Sequence, residues 1–207
     1  MEVNMAGQTI ISISREFGSG GHEIAKKIAK DLGLKFYDRK MLDEIADSLD
    51  VKVELLEKYD EKPRNFFMTR RVGNYTNSME EILAELQFDF IKEKASSGES
   101  FVIVGRCAET VLSDFDGLIS IFINGEKPFK IQRVMNQFHL NEEEAIIKMA
   151  RHDKTRKRYH NRHSEHKWGN SKYYDVCMNS AHLDVSGTAE ILEQYIQERM
   201  KRKNEKD

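Results

Sequence analysis

Residues 10–25, IISISREFGSGGHEIA, constrain this chain more than any other stretch. A short apolar run leads into a glycine-rich turn, and the turn opens onto apolar residues at helical spacing, Ile24, Ile28 and Leu32. Strand, glycine turn and helix start make backbone N–H groups converge on an anion, helped by the positive end of the helix dipole. Gly18, Ser19, Gly20 and Gly21 let the backbone approach a ligand with almost no side chain in the way. The same residues also suit a tight turn without a ligand, and the loop by itself leaves both readings open. It departs from the pattern G-x-x-x-x-G-K-[ST] in three places. Arg15 stands where the first glycine would be, Gly21 where the lysine would be, and no Ser or Thr follows. Arg15 is either the replacement for the lost positive charge or a structural ion-pair partner.

Apolar and amphipathic segments alternate along the rest of the chain. Residues 10–13 read as a buried strand and 22–32 as a helix stopped by Gly33, a common residue past a helix end. A short strand at 34–37 runs out at Asp38, and 39–49 is amphipathic through Met41, Leu42, Ile45 and Leu49. Ser78 and Glu81 have capping-box spacing and open a predicted helix with Leu83, Leu86 and Phe90 on one side. Residues 101–104 and 118–123 are continuous apolar runs, as in parallel strands covered on both faces. Pro128 suits the first turn of a helix reaching about Phe138. Asn141 and Glu144 make a second capping box, predicting a helix toward Arg151. Residues 174–178 form a last predicted strand, and Ser186 or Thr188 is expected to cap the final helix. Such alternation predicts an α/β sandwich with a mainly parallel sheet.

Residues 50–77 break the pattern, with Pro63 in the middle and Arg64, Phe66, Phe67, Arg70, Arg71 and Tyr75 around it. The expectation is one domain over 1–207, with 50–77 as an insert or acceptor-side segment and 151–172 as a lid. A formal net charge of −2 gives no reason for whole-surface attraction to nucleic acid or membrane. No apolar run approaches the roughly 20 residues of a membrane span, and the N-terminus lacks a basic-then-apolar leader pattern. Cys107 and Cys177 are too few for a disulfide framework and make no metal-type pair. A cytoplasmic setting follows as the expectation.

Several other positions are candidates for chemistry. Arg106, just past the apolar run 101–104, lies where open α/β sheets bind ligands, and its planar fork can grip a phosphate twice. Residues 151–162 are rich in Arg and Lys. They read either as a solvated helix face or as a mobile lid whose arginines, Arg156 and Arg158 among them, close over phosphates. Asp153 within that run is placed to fix an arginine or meet a base amino group. Asp38 is either a carboxylate for an acceptor or a magnesium-bound water, or a helix cap. His160, His163 and His166 lack partners at zinc-like spacing and read as exposed lid residues, so no metal centre is expected. Trp168 either anchors the lid by packing or stacks on a base.

Together these segments resemble the cytidylate kinase-like family, relatives of the nucleoside monophosphate kinases. The residues that carry the resemblance are ISREFGSGG at 13–21 with FYD at 36–38, VGR at 104–106, DKTR at 153–156, and WG at 168–169 with YDVCMN at 174–179. The resemblance implies a P-loop-type three-layer sandwich with a helical lid, and transfer of the ATP γ-phosphoryl group to a nucleoside monophosphate with Mg²⁺. The acceptor it implies is CMP or dCMP, with small-molecule nucleotides as the partners; a nucleic-acid binder using the basic patch at 151–172 is a rival reading that the near-neutral overall charge argues against. It further implies donor phosphates on Gly18, Ser19, Gly20, Gly21 and His22, and the acceptor at Asp38, Arg39, Arg106, Arg133 and Asp153. Arg15, Arg156 and Arg158 are left to stabilise the charge in transfer. Authentic cytidylate kinases carry a loop lysine followed by Ser or Thr, and this chain has Gly21, His22 and Glu23 there. Two further readings therefore stand beside it: a nucleotide-binding regulatory protein with impaired catalysis, and a kinase for another small acceptor.

Overall fold

The computed structural model describes residues 7–60, 71–72, 75–76 and 78–205. Strand β1 (Ile10–Arg15) passes through the glycine loop into helix α1 (Gly21–Asp31) and returns as β2 (Lys35–Tyr37). Helices α2 (Met41–Ser48) and α3 (Val53–Glu57) follow, then a short antiparallel pair, β3 (Arg71–Val72) with β4 (Tyr75–Thr76). Helix α4 (Met79–Ser96) leads to β5 (Phe101–Val104), the one-turn helix α5 (Ala108–Val111) and β6 (Leu118–Asn124). The chain ends with α6 (Lys127–Phe138), α7 (Glu142–His163), β7 (Val176–Asn179) and α8 (Asp184–Asn204). Of the insert expected at 50–77, residues 61–70, 73–74 and 77 lie outside the described residues, and the rest includes α3, β3 and β4.

Five strands form a parallel sheet in the order β2-β5-β1-β6-β7, with the glycine-loop strand in the middle. Alternation along β1 sorts its side chains between two layers. Ile11 and Ile13 pack against Ile24 and Ile28 of α1 and Leu192 and Ile196 of α8. Ile10 faces the other way, into a core with Met41, Leu42 and Ile45 of α2 and Leu83 and Ile91 of α4. Each such side chain, fully buried, contributes about 1.5–3 kcal/mol relative to exposure. Ser12 and Ser14 share the face of Ile10 and are buried, so polar atoms enter the sheet's interior at the end where the glycine loop begins. A third small core joins α6 to α7 through Ile131, Val134, Ala145 and Met149, with Phe17 of the loop packed on it.

Three expectations change. The capping box at Asn141 and Glu144 forms, whereas Ser78 stands at the N-cap of α4 without a side-chain capping bond, its hydroxyl donating to Glu80 at 2.8 Å. The final helix starts at Asp184, whose carboxylate accepts the Ser186 and Gly187 N–H groups at 2.7 and 3.1 Å, so neither Ser186 nor Thr188 is the cap. Most consequential, the helix expected to end near Arg151 continues to His163 as one 22-residue rod. The first half of the expected lid is therefore the far end of α7.

Candidate active site

At the carboxyl end of β1 the chain turns through Glu16–Ser19 and starts α1 from Gly20, which holds φ +79°. The N–H groups of the first helical turn have no intrahelical acceptor and so remain available to an anion. Beside them is a cavity of about 150 Å³ lined by Gly18, Gly20, Gly21, His22, Arg133 and Arg156, among others. A larger depression of about 330 Å³ lies along α7 among Leu140, Ile147, Lys148 and Arg151, but no residue of the glycine loop lines it.

The loop is held from four directions. Arg133 of α6 donates from Nε to the Gly18 carbonyl at 3.1 Å and from Nη2 to Glu23 at 2.7 Å. Asp153 of α7 accepts the Phe17 N–H at 2.7 Å, and Arg156, one turn on, donates to the Arg15 carbonyl at 3.2 Å. Ser180, just past β7, donates to the Ser19 carbonyl at 2.6 Å. Phe17 itself is stacked on His152, with ring centroids 4.2 Å apart. Burial pushes the Asp153 carboxyl above the usual range, against the pull of the Phe17 N–H and the Arg156 charge.

Gly21 is explained by Arg15. A Cβ at position 21 would sit 2.5 Å from the Arg15 Cβ and 2.9 Å from its Cγ. No side chain, lysine included, fits there while Arg15 is present. Farther out, Arg15 Nη1 lies only 2.6 Å from where a Cβ on Gly105 would stand. The arginine thus runs from the glycine loop toward the end of β5, and it lines both the donor-side cavity and a tight pocket of about 20 Å³ beside Arg106. The missing first glycine and the missing lysine are two sides of one steric exchange.

Around Arg106 the backbone is strained. Gly105, Arg106 and Cys107 all have positive φ, +80°, +61° and +52°. Non-glycine residues held in that region cost of order 1–3 kcal/mol each and concentrate at functional sites. The turn places the Arg106 guanidinium, 3% exposed, against Asp60, with paired contacts of 2.8 and 2.9 Å. Asp60 also accepts from Gln87 Nε2 at 3.1 Å and forms an ion pair with Arg39, whose Nε lies 3.2 Å away. Nearby, Asp38 takes the His22 ring at 2.9 Å and the Lys40 N–H at 2.8 Å. Burial works to raise the Asp38 carboxyl, but these two contacts and the adjacent charges hold it below its usual range.

Between the two regions sits a buried pair. Glu109 of α5 accepts from His160 Nε2 of α7 at 2.6 Å, and both side chains are 5% exposed. The hydroxyls of Ser12 and Ser14 make longer contacts to the same carboxylate, both 3.4 Å. His160 is not the exposed lid residue expected; it fastens α7 to the body.

The sequence matches the cytidylate kinase-like family over residues 10–182. The chain belongs to the cytidylate kinase-like family. Among solved structures it is similar to an uncharacterized protein from Eubacterium ventriosum ATCC 27560, 39% identical, with a TM-score of 0.72, covering 91% of this chain and 98% of that one. Shikimate kinase from Bacteroides thetaiotaomicron, 13% identical with a TM-score of 0.53 over 91% of this chain and 98% of its own, shares the fold. No curated protein matches. The α/β, P-loop-type sandwich with its parallel sheet stands as expected, and family and fold together support nucleotide-dependent phosphoryl transfer in general. No helix among the described residues is long and apolar enough to cross a membrane.

Against the family pattern, the site residues fall into two groups. Gly18, Ser19, Gly20, Gly21, His22, Arg15 and Arg156 gather at the loop. Arg39 and Arg106 gather at the corner around Asp60, with Asp38 next to Arg39 in the chain and paired with His22 of the loop. Arg133 and Asp153, expected on the acceptor side, stand on the loop instead, because α6 and the unbroken α7 both pack over it. Arg158 is exposed and lines neither cavity. Trp168 packs edge-on against Phe122, the anchoring alternative. The sequence reading missed Asp60, Glu109, Ser180 and the burial of His160. Only the serines at alternate positions in β1, which mark a polar interior, hinted at Glu109. For Mg²⁺ the position that carries Ser or Thr in the usual loop pattern is His22, a poor ligand for so hard a cation, and the Ser19 hydroxyl donates to the Glu16 carbonyl at 2.9 Å. Asp38 is an oxygen donor at the mouth, and Mg²⁺ is commonly held by one carboxylate, water and the nucleotide's own phosphates.

Proposed function

We propose that this protein transfers a phosphoryl group from ATP to a small anionic acceptor, with CMP or dCMP the acceptor that family membership favours. The observation that carries this reading is the placement of Arg15 and Arg156, which line both the donor-side cavity and the pocket beside Arg106. A phosphoryl group in flight between the two sites passes these guanidinium groups, and positioned charge of this kind is the main catalytic device in such transfers. In this scheme the N–H groups at the start of α1 take the donor phosphates, and Arg133 and Asp153 keep the loop in shape. Arg15 supplies the charge that a loop lysine supplies elsewhere, and Arg106 orients the acceptor. Asp38 would be the residue to hold a Mg²⁺ that arrives with the nucleotide, and the ion would supply neutralisation of phosphate charge. The two cysteines, one buried and one exposed, form no disulfide, which suits a reducing cytoplasm.

A second reading, nucleotide binding without turnover, is favoured by the steric exclusion of any side chain at Gly21. Product formation from ATP and Mg²⁺ across a panel of nucleoside monophosphates, with Arg106→Ala alongside, separates the two. CDP or dCDP formed by the parent and lost in the variant is the expected result. ATP binding with no diphosphate from any acceptor would move the assignment to the second reading.

A further inference from the structure

We infer that Asp60 is a built-in competitor for Arg106 and restricts the acceptor to phosphate dianions, excluding monocarboxylates. This inference rests on the proposed acceptor role of Arg106. The geometry at Asp60 is that of a bound anion rather than of an ordinary surface ion pair. Its Oδ1 takes Arg106 Nη1 at 2.8 Å and Gln87 Nε2 at 3.1 Å, and its Oδ2 takes Arg106 Nη2 at 2.9 Å and Arg39 Nε at 3.2 Å. A carboxylate has about four acceptor positions on its two oxygens; hydrogen bonds fill three of them, and the Arg39 guanidinium lies against Oδ2 as an ion pair. The donors come from three separate parts of the chain: the turn after β5, the middle of α4 and the start of the segment leading into α2. A carboxylate from a fourth part fills a seat that this chain built for two oxygens.

What an incoming acceptor must do follows from that seat. A monocarboxylate repeats the contacts Asp60 already makes and also gives up its translational freedom. Asp60 is tethered, so its effective concentration at Arg106 greatly exceeds that of a dissolved competitor. A phosphate monoester brings a third oxygen and a second charge, and Arg15 runs up to Gly105 beside Arg106 to meet them. Arg39 is 58% exposed and can follow Asp60 outward, so the displaced carboxylate keeps a partner. Asp60 itself follows the single-turn helix α3, anchored through buried Leu56 and partly buried Val53 and Tyr59. The acceptor's apparent affinity is therefore its intrinsic affinity reduced by the fraction of molecules in which Asp60 has let go.

The test is calorimetric titration of the full chain and Asp60→Asn with inorganic phosphate and, separately, acetate. Asparagine keeps the shape and one acceptor oxygen but removes the charge. Phosphate settling on the glycine loop contributes equally to both proteins, so the difference reads the Arg106 seat. The expected result is phosphate binding about tenfold or more tighter in the variant, with acetate binding measurable in the variant alone. Equal phosphate affinity in the two proteins, or equal acetate affinity, overturns the inference. Hydrogen exchange on the parent protein gives an independent reading if the variant does not fold. Phosphate should lower amide protection over residues 53–60, and unchanged protection with phosphate bound overturns the inference. If both readouts behave as expected while no diphosphate forms from CMP, the seat stands and the nucleotide-kinase reading fails.

Discussion

The glycine loop and the corner around Asp60 present hydrogen-bond donors in opposite ways. At the loop the donors are backbone N–H groups at a helix start, and the side chains around them are spent on holding the backbone: Arg133 on the Gly18 carbonyl, Asp153 on the Phe17 N–H, Arg156 on the Arg15 carbonyl. The adjoining cavity, about 150 Å³, is open. At the corner the donors are side chains, and the protein's own carboxylate already occupies them. Backbone donors are fixed by the fold and can wait empty with water around them. A buried guanidinium without a counter-ion is costly, so the chain supplies one. One site is preformed and the other is prefilled.

Helix α7 connects the two, with Asp153 and Arg156 on the loop and His160 on Glu109 near the corner. Breaking the Glu109–His160 pair tests whether they act as one unit. His160→Ala leaves a buried carboxylate with only two long serine contacts, and removing one partner of such a pair typically costs about 3–5 kcal/mol. A drop of that size in denaturant stability, with nucleotide binding at the loop weakened along with it, is the expected outcome. Intact stability would mean that the clasp is dispensable.

The two regions also differ in how much of them the sequence disclosed. The loop, its strand and its helix were legible because each leaves a local pattern: a run of isoleucines, clustered glycines and apolar residues one turn apart. The corner was not, because Arg106 and Asp60 stand 46 residues apart and nothing local to either names the other. The length of α7 was hidden for a related reason. Its buried positions beyond the first turns are few, Met149 and His160, and the rest of its docking face is Asp153, Arg156 and Tyr159, which read as solvent-facing. Tertiary hydrogen bonds do there what an apolar stripe does in an ordinary surface helix.

The exchange between Arg15 and Gly21 gives a smaller effect with a distinctive signature. Gly21→Lys alone forces a side chain into the space of the Arg15 stem and should cost about 1–3 kcal/mol, as overpacking generally does. Arg15→Gly on its own empties that space and removes the charge from both cavities. The double variant, which restores the first glycine and the lysine of the common loop pattern, should recover most of the lost stability, so the two changes are strongly non-additive. Thermal midpoints of the four proteins measure the coupling. Simple additivity would show that the loop tolerates a side chain at 21 by some other route, and the steric account of the missing lysine would fall.

The smallest effects come from two carboxylates whose shifts have opposite sign, one in each region. Asp38, next to Arg39 of the corner, is held below its usual range, so its charged form favours the folded state. That contribution is present above the unfolded value near 3.8 and is lost as pH falls through the lower folded value. Asp153, under the loop, is raised by burial, so its protonated form favours the folded state. Its contribution is present below the unfolded value and disappears as pH rises through the folded one. Asp38→Asn should therefore cost more stability at pH 7 than at pH 3, and Asp153→Asn more at pH 3 than at pH 7. Each difference should be on the order of 1 kcal/mol or less, since both groups keep some solvent contact. Denaturant titrations at the two pH values compare them directly. Slopes of the same sign for both variants would mean that the loop carboxylate is as well solvated as the corner one, and the contrast between a backbone-built and a side-chain-built anion site would lose its electrostatic half.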